Sequence, residues 1–174
     1  MKIFGAILLS ICLFVCKFSH AQSATGPKLL NIHEDKLGTD IRKFSSQIRL
    51  KQYDSAIVTG KQILKVKPHN AFITYQIGEL YEKLGDTVTS VEYYKHALSI
   101  LDTALDTMNV KNEKYNWVKL NKAIVLILLG QKKAGDTIIQ DVYNNETLYS
   151  NKQYDLSVLN MTRKELVYGK ATNY

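Results

Sequence analysis

Apolar residues recur every three or four positions between residues 71 and 102, which is the spacing of a helix with one buried face. Gly85 and Asp86 interrupt this spacing and predict a turn between two helices. Comparable helix pairs are predicted at about 39–68 and 115–145. No long stretch alternates between apolar and polar residues with the period of a strand. The pattern therefore predicts an all-α fold built from helix pairs.

The central pair has small residues where two helices must approach closely. Gly78 lies in the middle of a helix, where glycine costs about 1 kcal/mol relative to alanine, and Ser90 is the small residue expected to face it. Tyr94 is a large side chain that fills the space beside them. This stretch resembles the tetratricopeptide repeat (TPR), a helix–turn–helix unit of about 34 residues. The residues that carry the resemblance are Ile77, Gly78, Tyr81, Gly85, Ser90, Tyr94 and Ala97.

The resemblance implies a TPR-type α-solenoid, in which about three such pairs stack and present a curved surface to other proteins. The first pair carries Ala56 and Pro68 at motif positions, although Phe44 stands where the motif has glycine. The third pair contains Trp117 and allows two registers. One register places Trp117 at the tryptophan position of the motif, and the other counts back from the turn at Gly130.

Residues 1–21 have the features of an export signal peptide. Lys2 precedes an apolar run that is too short for a comfortable membrane span, and a small residue, Ala21, ends the segment. Both cysteines, Cys12 and Cys16, lie within it, so cleavage after Ala21 leaves a chain without disulfides. These features predict an exported protein of the periplasm or cell surface of a Gram-negative bacterium. An uncleaved anchor and a lipid-modified Cys16 are the alternatives.

The mature chain is expected to have a flexible N-terminal tail at 22–38 and one helical domain at 39–174. Ser150 and Gln153 have the spacing of a capping box, and apolar residues follow at helical spacing. A single capping helix is therefore predicted at about 150–168, covering the last pair.

Composition narrows the classes of partner. The net charge of +7 becomes +5 when the signal peptide leaves with its two lysines. The remaining basic residues are spread over all the predicted helices, and the protein is exported, so a nucleic-acid partner is not expected. Solvated helix faces are the commonest reason for such a charge, and association with an anionic partner or cell surface is the alternative.

The sequence contains no pattern that builds a catalytic or metal site. His33, His69 and His96 share no ligand spacing, and the common phosphate-loop and nucleophile motifs are absent. Glu79 and Glu82 are one turn apart on a helix, as solvated carboxylates usually are. We expect no enzyme activity, no metal and no cofactor.

A binding surface follows from the resemblance, because the first helix of each TPR pair lines the groove of the solenoid. On the third pair the groove residues are Tyr115, Val118, Lys122 and Val125 in one register, or Trp117, Leu120, Ile124 and Ile127 in the other. Aromatic residues and arginine are the usual anchors of interfaces. The alternative is that Phe72 and Tyr75 pack against the neighbouring pair. The predicted partner-binding residues are Arg42, Arg49, Phe72, Tyr75, Glu79 and Lys83.

The sequence thus predicts a non-catalytic protein–protein interaction module that binds a protein or peptide. The alternative is a structural subunit of an envelope assembly or secretion complex, in which the solenoid is permanently bound. An enzyme is the third and least favoured class.

Overall fold

The computed structural model describes residues 29–112, 114–145 and 161–169, and within these ranges it describes the side chains from residue 36 onward except that of residue 145. All regular secondary structure in these ranges is helical, so the prediction of an all-α fold is confirmed. The helices are α1 (Leu29–Arg49), α2 (Tyr53–Val66), α3 (Ala71–Lys83), α4 (Thr87–Thr107), α5 (Tyr115–Leu128), α6 (Lys132–Asn145) and α7 (Arg163–Tyr168).

Helices α1 to α6 form three consecutive pairs, and within each pair a turn of three residues joins the two helices. The second helix of each pair also packs against the first helix of the next, so α2 contacts α3 and α4 contacts α5. The short helix α7 packs against α3 and α5, the first helices of the second and third pairs. Residues 36–174 make up one compact unit.

The three turns within the pairs have the same backbone geometry. Their middle residues are Lys51, Gly85 and Gly130, with φ angles of 57°, 87° and 81°. In each turn the N–H of the next residue donates to the carbonyl five positions earlier, at 2.8–2.9 Å, which is the hydrogen bond of a Schellman motif. Equivalent positions are therefore 34 residues apart between the first and second pairs, and 45 apart between the second and third.

This correspondence determines the register of the third pair. Ala123 occupies the position of Gly78, and Gly135 occupies the position of Ser90. A Cβ atom on Gly135 would lie only 2.7 Å from the carbonyl oxygen of Ala123, so these two helices touch at their small residues. The register counted from Gly130 is the one observed. Trp117 consequently does not occupy the tryptophan position of the motif.

The second pair has the close approach that the sequence predicted. Gly78, Ser90 and Tyr94 are all buried. A Cβ atom on Gly78 would lie 2.7 Å from the ring carbon Cε1 of Tyr94 and 3.1 Å from the carbonyl oxygen of Ser90. The tyrosine ring thus fills the space that the missing glycine side chain leaves.

The first pair has equivalent packing, but the large residue and the small residue are exchanged between its two helices. Phe44 occupies the position of Gly78, and Gly60 occupies the position of Tyr94. A Cβ atom on Gly60 would lie 2.9 Å from Cε2 of Phe44, which is itself buried. Here the phenyl ring comes from the first helix and the glycine from the second.

Three predicted boundaries need correction. The tail predicted at 22–38 is helical from Leu29 onward, because extending a helix already anchored by packing adds one hydrogen bond per residue without a new nucleation step. The helix predicted at 150–168 is not continuous, because Thr162 has extended backbone and caps α7. The second helix of the middle pair runs beyond residue 102 to Thr107, which absorbs part of the sequence inserted before the third pair.

Some predictions lie outside the described residues. These are the signal peptide at 1–21 and the capping box at residues 150 and 153. None of the helices in the described ranges is both long enough and apolar enough to cross a membrane.

Candidate functional site

The residues predicted to bind a partner lie on the first helices of the pairs. On α3, helical spacing puts Phe72, Glu79, Glu82 and Lys83 on one side of the helix, and the equivalent side of α5 carries Trp117 and Ile124. We call the side of α3 and α5 that carries these six residues the first-helix face. Beneath it, side chains of α3 and α5 belong to one buried apolar cluster, and α7 packs against both helices.

Tyr75 lies beneath this face rather than on it. Its side chain is only 6% exposed, and its hydroxyl donates to the Oδ1 atom of Asn121 on α5 at 3.4 Å. The Asn121 amide in turn donates to the carbonyl oxygen of Trp117 at 2.8 Å. Tyr75 therefore joins α3 to α5, and the prediction that it lines an open groove is wrong because α5 covers it.

Phe72 is intermediate between core and surface. Its ring lies edge-on to that of Tyr75, with centroids 5.4 Å apart and an interplanar angle of 80°. It is partly buried against the apolar clusters on both sides of α3. The alternative that these two aromatic residues pack against a neighbouring pair thus holds fully for Tyr75 and in part for Phe72.

The two arginines predicted for the binding surface are exposed on α1. Arg42 donates from its Nη2 atom to the Oγ1 atom of Thr39, one turn earlier, at 3.1 Å. Arg49 is the last residue of α1, where a positive charge interacts favourably with the helix dipole. Lys83 occupies the position on α3 equivalent to Arg49, and its ammonium lies 5.7 Å from the ring centroid of Tyr53.

Glu82 is buried, contrary to the expectation of a solvated carboxylate. The residue is 5% exposed, and both of its carboxylate oxygens accept hydrogen bonds from the guanidinium of Arg163 on α7. The hydroxyl of Tyr94 donates to its Oε2 atom at 2.9 Å. Burial raises the pKa of Tyr94 well above its usual range, and the neighbouring carboxylates act in the same direction. The two hydrogen bonds from Arg163 offset the energetic cost of burying this carboxylate.

Helix α7 is fixed to the ends of both first helices. Arg163 donates from its Nε atom to the carbonyl oxygen of Leu128 at 2.5 Å, and Tyr168 donates from its hydroxyl to the carbonyl oxygen of Glu82 at 3.1 Å. A capping box formed by Thr162 and Glu165 starts the helix. Val167 is buried in the core. A six-residue helix thus adds hydrogen bonds to carbonyl groups at the C-terminal ends of α3 and α5.

Glu79 differs from Glu82 although it lies only one turn away. Its side chain is partly buried, and it makes no hydrogen bond or ion pair with any described residue. Burial raises the pKa of Glu79 to about 7, and the charge of Glu82 adds to this shift, whereas nearby Lys83 opposes it. A carboxylate that lies in a partly apolar surface with a pKa near neutrality is a candidate for binding a ligand.

Trp117 is the most exposed aromatic residue of the first-helix face. It is 47% exposed, and it occupies the position on α5 equivalent to that of Phe72 on α3. Ile124, which is equivalent to Glu79, is partly buried against the core. The sequence left two interpretations of Trp117 open, a motif position or a groove position, and the register of the turn at Gly130 assigns it to the surface.

A further polar cluster joins α2, α3 and α4. On the outer side, the ammonium of Lys61 donates to the hydroxyl of Tyr81 at 2.7 Å, and the ring of Tyr81 stacks on that of Tyr93 with centroids 5.5 Å apart. The hydrogen bond to Tyr81 raises the pKa of Lys61. Within the described ranges no group of three or more histidine, cysteine or carboxylate side chains is arranged to hold a metal ion.

Comparison with known proteins does not extend this description. No protein-family model matches the chain. No curated protein matches it either.

Proposed function

We propose that this protein is a non-catalytic interaction module of the TPR type that binds a protein or peptide partner along its first helices. The observation that supports this most is the repetition of one helix-pair geometry three times, with the same turn at Lys51, Gly85 and Gly130. Stacked helix pairs of this kind form extended surfaces suited to binding other chains.

The surface chemistry of the first helices agrees with this role. Arg42 and Arg49 are exposed on α1, and Trp117 is exposed on α5. Aromatic residues and arginine contribute most of the binding energy in typical interfaces. The composition of residues 1–21 supports an export signal, and we propose that the module works in the periplasm or at the cell surface of a Gram-negative bacterium.

The test is capture of a partner by the mature protein, residues 22–174, from an envelope extract of the native cell. Replacement of Arg49 or Trp117 by alanine should weaken capture by about tenfold or more while helicity and melting temperature stay unchanged. Lys95→Ala is the matched control, because Lys95 is exposed on α4, a second helix. Equal capture by all the variants would contradict the proposal.

The captured material also separates the two kinds of interaction protein. A partner that dissociates readily and is replaced by a short peptide supports an adaptor. A stoichiometric complex that survives purification supports a structural subunit of an envelope assembly or secretion complex.

A further inference from the structure

Helix α7 reveals what chemistry the first-helix face accepts. Helix α7 is short, yet it makes three kinds of contact. Its arginine binds Glu82, an aliphatic side chain packs in the core, and a hydroxyl donates to a backbone carbonyl group. This intramolecular contact combines a cation with apolar groups. On the first-helix face, α7 contacts Glu82. The other residues of this face lie on α3 and α5.

Glu79 is the next carboxylate along that face. The equivalent positions carry Ser45 on α1 and Ile124 on α5, so only the second pair has a charge here. Unlike Glu82, Glu79 has no bonded partner among the described residues. Partial burial of an unpaired carboxylate is unfavourable, and a cation that bound to it would remove that penalty.

Within the described ranges, the charged groups of the neighbouring helices that could pair with Glu79 contact other residues. Arg163 of α7 and the hydroxyl of Tyr94 from α4 both bind Glu82. On α3 itself, Lys83 lowers the pKa of Glu79 in part but extends over the ring of Tyr53. The lysines of α5 also have partners, since Lys119 pairs with Asp141, and Lys122 pairs with Asp102 at 2.7 Å.

We propose that the first-helix face beside α7 binds an amphipathic helical segment of a partner protein, in which an arginine or lysine pairs with Glu79 and apolar side chains contact Phe72, Ile124 and Trp117. This inference rests on the proposed function and adds the chemical class of the partner. Arginine suits the position best, because its guanidinium donates two parallel hydrogen bonds to a carboxylate, as Arg163 does to Glu82.

The chain carries its own probe for this binding. Trp117 is the single tryptophan, and it lies on the proposed surface. The titrant is a synthetic helical peptide of about four turns made of Leu, Ala and Lys, with one Arg in the middle of its leucine stripe. It contains no aromatic residue. Twin peptides carry Gln or Glu in place of that Arg, and the emission of Trp117 is followed as each peptide is added to the mature protein.

We expect the Arg peptide to bind about tenfold more tightly than the Gln peptide, and the Glu peptide to bind more weakly still. Glu79→Gln should remove the preference for Arg while its helicity stays that of the wild type. Glu92→Gln is the matched control, because Glu92 is exposed on α4, and it should keep the preference.

The pH dependence provides a second measurement. With a pKa of about 7, Glu79 gains its charge between pH 6 and pH 8. Affinity for the Arg peptide should therefore rise over this interval, and Glu79→Gln should show no such rise, because it lacks the titrating group.

The outcomes distinguish this inference from the proposed function. If the Arg and Gln peptides bind equally, or if the preference for Arg survives in Glu79→Gln, the role of Glu79 is wrong while the face still binds helical peptides. If no peptide changes the emission of Trp117 and a partner is still captured through Arg49, the proposed function stands and this inference fails. If no peptide changes the emission of Trp117 and no partner is captured, both the proposed function and this inference are wrong.

Discussion

The first and second helix pairs solve the same packing problem in opposite ways. In the second pair the glycine lies on the first helix, at Gly78, and the large ring comes from Tyr94 on the second helix. In the first pair the ring of Phe44 comes from the first helix, and Gly60 receives it on the second. The comparison shows that the pairs share a turn and a filled space between their two helices. Either helix can supply the large ring, and the other helix then supplies the glycine.

Gly78→Leu should have the largest effect on stability. Its side chain would enter the space held by the ring of Tyr94, which is only 2.7 Å from the position of a Cβ atom. We expect the free energy of unfolding to fall by about 3 kcal/mol or more, measured by urea denaturation followed by circular dichroism. Gly38→Ala is the control, because Gly38 lies in α1 with only a flexible arginine tip near it. Its stability should stay unchanged or rise slightly. A wild-type midpoint for Gly78→Leu would mean that α3 and α4 are not in close contact.

Arg163→Ala should be next in size. Glu82 stands where the other pairs have isoleucine, Ile48 and Ile127, and it depends on this arginine for its pairing. Since the Arg163 side chain is 37% exposed, we expect a loss of about 2 kcal/mol, below that of a fully buried pair. The double variant Arg163→Ala with Glu82→Gln should recover part of the loss, because it leaves no unpaired charge. An unchanged melting temperature for Arg163→Ala would show that α7 does not hold Glu82 in solution.

Gly60→Ala tests the exchange of sizes in the first pair. The added methyl group would meet Phe44 and Ile77 at 2.9 Å, and we expect a loss of about 1–2 kcal/mol. The same substitution made in Phe44→Leu should cost less, because the smaller side chain leaves room for the methyl group. The double-mutant cycle measures this coupling directly. Additive effects would mean that the two residues do not share one space.

Lys51→Gly should have the smallest effect and the opposite sign. Lys51 adopts the positive φ that glycine adopts in the two later turns. We expect the glycine variant to gain up to about 1 kcal/mol, because the strain on the side-chain-bearing backbone disappears. The reverse change, Gly85→Lys, should destabilise by a similar amount. A loss of stability in Lys51→Gly would show that the lysine side chain makes a compensating contact.

Local patterns in the sequence were enough to find the helices and the second pair. The sizes and spacing of Gly78, Ser90 and Tyr94 indicate that these residues pack together, and Gly85 indicates the turn. Lys51 gives no such signal, since a lysine at positive φ is uncommon, and the turn that it makes becomes recognisable only beside the other two. The exchange between Phe44 and Gly60 was missed for the same reason.

Periodicity could not predict the contacts between residues that are far apart in the sequence. Arg163 and Glu82 are 81 residues apart in sequence, and nothing in the spacing of either helix indicates that they pair. Tyr75 has the helical phase of a groove residue, yet α5 covers it. The sequence therefore predicted which helices carry the candidate residues, but which of these residues are accessible depends on tertiary packing.

The central claim is that all three pairs share one register, fixed by their turns. Quenching of the intrinsic fluorescence of Trp117 by acrylamide tests it most directly, because the chain has a single tryptophan. The shared register leaves Trp117 47% exposed, so the account predicts ready quenching in the native protein and only a moderate increase on unfolding. Blue-shifted emission that is protected from the quencher until the protein unfolds would contradict it, since Trp117 would then fill a buried position between the helices of the third pair.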